Sequence, residues 1–146
     1  MVVTERSSTG SAGGTETILV VEDDEVIRNA VRRILQTAGY TVLPASTPME
    51  AIELASNRQV PIHVLLTDVG LLGVTGPQLA KLLVSDRPGL RVLYISGHSE
   101  AHVVPVGRVG PGTAFLQKPF TLESLLREVR ELLHPGAQRD EAAGGE

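Results

Sequence analysis

The sequence predicts an α/β fold: one five-stranded parallel sheet with helices on both faces. Three observations predict it. Five short apolar runs recur along the chain. Four of them are nearly uniform in apolar character rather than alternating, the pattern of strands covered on both faces. Between them the apolar residues take helical spacing, so the order reads β-α repeated five times. Right-handed crossovers then gather the strands into one parallel sheet.

The first strand is expected over Ile18–Val21. Val26, Ile27, Ala30, Val31, Ile34, Leu35 and Ala38 then share one helix face, and Gly39 stands where a C-terminal cap belongs. The second strand is Thr41–Ala45, followed by a short helix after Pro48 that carries Met49, Ile52 and Leu54. The third strand is Ile62–Thr67. Pro77 suits the first turn of the next helix, with Leu79, Ala80, Leu82 and Leu83 as its apolar face. Val92–Ser96 is the fourth strand. The segment Ser99–Gly112 should hold the fourth helix, but Pro105, Gly107, Gly110, Pro111 and Gly112 make that helix short or irregular. Ala114–Gln117 is the fifth strand. Thr121 caps a last helix built on Leu122, Leu125, Leu126, Val129, Leu132 and Leu133.

The chain has 146 residues, one domain's worth. Residues 1–15 are Ser/Thr/Gly-rich and read as a flexible lead, 16–134 as the domain and 135–146 as a flexible polar tail. There is no cysteine, which excludes disulfides, thiolate zinc sites and thiol nucleophiles. No apolar stretch reaches the roughly 18 residues of a membrane span. The first residues lack the apolar centre of a secretory signal, so a cytoplasmic location is expected and no membrane partner. Net charge is −4 with no Lys/Arg run, which argues against a nucleic-acid partner.

In a parallel sheet of this kind, ligands bind beyond the carboxyl ends of the strands, where strand order reverses. The first strand ends in Glu22-Asp23-Asp24, the third in Asp68, the fourth in Ser96 and the fifth in Lys118-Pro119. Any one of these alone is unremarkable, and Asp24 suits a helix N-cap. Together they bring acids, a hydroxyl and an ammonium to one rim. Clustered carboxylates repel, and a hard divalent cation relieves the repulsion. Mg²⁺ takes oxygen ligands and keeps waters that phosphate oxygens can replace. A carboxylate beside such an ion can attack phosphorus to give an aspartyl phosphate. The ion and an ammonium would spread the transition-state charge, and a nearby hydroxyl could bind the product.

At these residues the chain resembles the receiver (response-regulator) family of two-component phosphorelay systems, over roughly Thr17 to Leu133. ILVVEDDE (18–25) is similar to the family's acidic first-strand motif and LLTDVGLLGVTG (65–76) to its phosphoacceptor strand and loop. LYISG (93–97) resembles the switch strand and FLQKPF (115–120) the Lys-Pro motif. The resemblance implies the flavodoxin-like, receiver-type sheet, with Asp68 as phosphoacceptor. It implies Mg²⁺ held by Asp23, Asp68 and the Gly70 carbonyl, with Glu22 assisting through water. It further implies Ser96 as switch hydroxyl, Lys118 as phosphate-binding ammonium, Phe115 as an aromatic that swings with Ser96, and a cis bond before Pro119. The wording is closest to receivers of hybrid histidine kinases. No kinase sequence precedes the domain and no DNA-binding effector follows it, so a single-domain regulator is expected. It would be phosphorylated by a sensor histidine kinase or phosphotransfer protein, and would bind an output protein or relay the group.

Three departures from the family pattern stand out. Leu71-Leu72 replaces a Met-Pro pair after Asp68. Gly70 offers no side chain beside the phosphoryl site, across from His98, and this leaves the path for water open. The Gly/Pro-rich 99–112 segment alters the face the family commonly uses for output. The altered loop and the broken fourth helix motivate an alternative, an unphosphorylated pseudo-receiver acting as an interaction module. A phosphatase with an aspartyl nucleophile is disfavoured, because its second Asp would stand at Gly70. The chain is thus not expected to be an enzyme beyond assisting its own phosphorylation and dephosphorylation. His63, His98, His102 and His134 have no metal-ligand spacing.

Overall fold

The computed structural model describes residues 15–70, 74–97, 107–110 and 112–135. The strands are β1 (Thr17–Val21), β2 (Thr41–Ala45), β3 (Val64–Asp68), β4 (Arg91–Ser96), β5 (Gly107–Gly110) and β6 (Thr113–Gln117). The helices are α1 (Glu25–Thr37), α2 (Pro48–Ala55), α3 (Gly76–Asp86) and α4 (Leu122–Leu133). The sheet order is β2-β1-β3-β4-β6-β5. Five strands are parallel, as the uniform apolar runs predict, and β5 is added antiparallel to β6 at the edge.

That edge strand lies in the segment expected to hold the fourth helix. Gly107 and Gly110 disfavour a helix, and pairing with β6 settles the backbone instead. Residues 99–106 and 111 of that segment, His102 among them, lie outside the described residues, as does His98 just before it. So do Leu71-Leu72, nearly all of the expected lead and most of the expected tail.

Alternation along the strands divides the core in two. Ile18, Val20, Leu66, Leu93 and Ile95 face α1 and α4, meeting Val31, Leu35, Leu125 and Val129. Leu19, Val21, Leu65, Val92 and Tyr94 face α2 and α3, meeting Ala51, Ala55, Leu79 and Leu83. All five residues of β1 are buried.

The helices start where their caps are. Asp24 Oδ1 accepts from the Val26 and Ile27 amides, and Thr47 Oγ1 from Glu50 N. Thr75 and Thr121 each close a capping box, with Gln78 and Ser124. Gly39 takes φ 104, the left-handed residue just past α1. The expected apolar faces are wider than the buried ones. Val26, Met49, Leu82 and Leu122 are exposed, and α2 buries Ala51 and Ala55 rather than Met49. Small residues there let the helix backbone approach the sheet.

Candidate functional site

Strand order reverses between β1 and β3, since β2 lies on one side of β1 and β3 on the other. Val21 is level with Thr67, so the residues that follow, Glu22 and Asp68, leave the sheet at the same height. Asp68 pairs with Ile95 and Ser96 with Gln117, which sets Ser96 and Lys118 at the same rim.

The geometry brings three acids together. Carboxylate oxygens of Glu22, Asp23 and Asp68 all lie within 4.8 Å of one another. Lys118 Nζ is 3.4 Å from Asp68 Oδ1 and 3.5 Å from Glu22 Oε1. The Lys118–Pro119 bond is cis, as the resemblance implies. Ser96 is buried at the end of β4, and its carbonyl accepts from Lys118 N at 2.8 Å. Phe115 is buried two positions before Gln117, on the side of α2 and α3. Gly70 is exposed beyond β3. Asp24 turns its side chain to the α1 cap.

The electrostatics follow from burial. Glu22 is almost fully enclosed, and this pushes its carboxyl up to about 7. The Asp24 amide on its Oε2, at 3.1 Å, pulls against that rise. The negative charge of Asp68 reinforces it and Lys118 offsets part. Burial opposes the charge on Lys118 too, yet Asp68 and Glu22 outweigh it and hold the ammonium above its usual range. Among the described residues, three clustered carboxyl groups thus lie beside the Lys118 ammonium, which reaches Glu22 and Asp68. The donor set is all oxygen, crowded and short of positive charge, which is the chemistry a hard divalent cation fits.

Three features escaped the sequence. Arg28 Nη1 donates to the Glu22 carbonyl at 2.8 Å, holding the turn that carries the acids. Thr67 Oγ1 donates to the Asp68 carbonyl at 3.0 Å. Gly76, at the start of α3, sits directly on that carbonyl: a Cβ there would lie 2.3 Å from Asp68 O. The Gly-Pro pair opening a helix eight positions past Asp68 was the available signal.

Residues 18–130 match the family model for the response regulator receiver domain. The sensor kinase CckA of Brucella abortus is 32% identical over 120 residues, covering 82% of this chain and 13% of that protein. The response regulator MprA of Mycobacterium ulcerans is 34% identical over 127 residues, covering 86% of this chain and 53% of that one. The chain therefore spans only part of these curated relatives. The crystal structure of the receiver domain from hybrid histidine kinase CckA superposes with a TM-score of 0.63 at 30% identity, covering 81% of this chain and 99% of that one. With its parallel sheet, its helices on both faces and this match, the chain belongs to the response regulator receiver domain family.

Proposed function

We propose that this chain accepts a phosphoryl group on Asp68 from the phosphohistidine of a sensor kinase or phosphotransfer protein, and thereby switches binding of an output protein or relays the group. Receiver domains are signalling domains that interact with such donors and generally bind Mg²⁺ at an acidic cluster. One observation carries the reading: Glu22, Asp23 and Asp68 converge within 4.8 Å, with Lys118 3.4 Å from Asp68.

In this reading an Asp68 oxygen attacks phosphorus. The donor's N–P bond breaks, its electron pair returns to the imidazole nitrogen, and an acyl phosphate remains on Asp68. Lys118, already between Asp68 and Glu22, moves its charge onto the arriving oxygens. The Ser96 hydroxyl accepts its share of the new negative charge as a hydrogen-bond donor. Asp23, Asp68 and the Gly70 carbonyl would hold Mg²⁺, with Glu22 reached through water. When bound, that ion neutralises the carboxylates and draws charge from the phosphoryl oxygens. The bare Gly70 leaves water a path to the acyl phosphate. In this reading the chain works in the cytoplasm, where its phosphodonor would be met.

The test is Asp68→Asn with a small phosphodonor and Mg²⁺. Incorporation should fall to background. Undiminished incorporation overturns the assignment. No incorporation even into the unmodified chain would favour the pseudo-receiver.

A further inference from the structure

Two aromatic rings lie directly behind Ser96. Tyr94 and Phe115 are register partners on the adjacent strands β4 and β6. Both project toward α2 and α3. Their rings stack with centroids 4.8 Å apart and planes inclined by 20°. Tyr94 is 9% exposed and Phe115 8%. Side chains alternate along a strand, so Ser96 projects to the same face as Tyr94, two residues back.

We propose that Tyr94 is a positioning residue for Phe115: its ring holds the Phe115 ring inside the fold before anything is attached at Asp68, and the stacked pair keeps its place when the site is loaded. This rests on the reading of Asp68 and Ser96 above. The family resemblance implies a Phe115 that swings with Ser96; the geometry here gives that ring a fixed partner. Moving it outward would break the stack and return a buried ring to water, two penalties with the same sign. The neighbouring strand brings Tyr94 to the same height, so the stack forms without any distortion of the sheet.

The chain suits a direct test, because it has two Phe, two Tyr and no Trp. The full chain is labelled with 4-fluorophenylalanine, and Phe120→Leu assigns the two signals. Saturation-transfer ¹⁹F NMR then measures the ratio of buried to exposed Phe115 ring, in ion-free buffer and with beryllofluoride plus Mg²⁺. The unmodified chain should show a buried ring in both conditions. Tyr94→Leu should lower the buried-to-exposed ratio in ion-free buffer by about two- to thirteen-fold, the equivalent of losing one aromatic stack. Tyr94→Phe, which keeps the ring, should restore it. The proposal is overturned if Phe115 in the unmodified chain is exposed without ions and becomes buried only with beryllofluoride. It is equally overturned if Tyr94→Leu folds and leaves the ratio unchanged. Should Tyr94→Leu fail to fold, Tyr94→Met, which also removes the ring, is read by the same criterion. Beryllofluoride binding is scored separately by the Asp68 amide shift. Its absence would defeat the phosphoacceptor reading, while the ion-free ring measurement would still judge the stack.

Discussion

Replacing Gly76 by alanine should disturb the site without touching any of its charged groups. A Cβ at this position would stand 2.3 Å from Asp68 O, 3.1 Å from Val69 Cα and 3.2 Å from Asp68 C. All three are backbone atoms, so no side chain can rotate away. An ordinary carbon contact lies at about 3.5 Å, so α3 and the end of β3 must part by about 1 Å. That movement strains the Gly76 N to Val69 O bond, 2.8 Å long. Overpacking of this kind costs about 1–3 kcal/mol. For a domain of this size the melting temperature should fall by roughly 4–12 °C. The Asp68 carboxylate would shift relative to Lys118, and a misplacement of about 1 Å can slow a positioned reaction up to about 100-fold. The assay pairs a thermal melt with the rate of phosphoryl incorporation from a small phosphodonor. Gly89→Ala is the internal control, because nothing lies within 4 Å of a Cβ there. It should be neutral or slightly stabilising, by up to about 1 kcal/mol. If Gly76→Ala melts and reacts like the unmodified chain, or if both variants behave alike, the close-packing argument is wrong.

In ion-free buffer the Glu22 carboxyl should make stability fall as pH rises. Its folded value is raised to about 7 from the ordinary 4.5, so the folded chain holds this proton more firmly than the unfolded one. The stabilisation is complete below about 4.5 and lost by about 7; Glu22→Gln should flatten that part of a denaturant-measured profile, and an unchanged slope would contradict the burial argument. Arg87→Met should cost about 2 kcal/mol in chemical denaturation, because its guanidinium donates to the carbonyls of Ala55, Asn57 and Val60. A change under a few tenths would show that water replaces the clamp at no cost.

What the sequence made legible was whatever depends on local chemistry. Asp24, Thr121 and Pro77 mark helix starts because a side-chain oxygen or a fixed φ acts on the next few residues alone. The strand-end acids, Ser96 and Lys118 were legible because parallel strands must deliver their carboxyl ends to one rim. Helix faces were less so. Val26 and Leu122 look as apolar as Val31 and Leu125, and only the orientation of each helix on the sheet decides which are covered. The four residues of β5 carry two glycines, so neither helix nor strand is locally favoured and long-range pairing with β6 decides. Gly76 and the Tyr94–Phe115 pair depend on register and on approach between distant segments, which spacing in one chain does not encode.

The end of β4 is stitched to both neighbours. Val69 N donates to the Ile95 carbonyl at 2.9 Å, and Lys118 N to the Ser96 carbonyl at 2.8 Å. To slide along its axis, this strand would have to rupture a bond on each flank at once. Spinning the Ser96 hydroxymethyl group about a single bond ruptures neither. If Asp68 is occupied as proposed, the cheapest response at Ser96 is thus a torsion, beginning from a main chain that stays still.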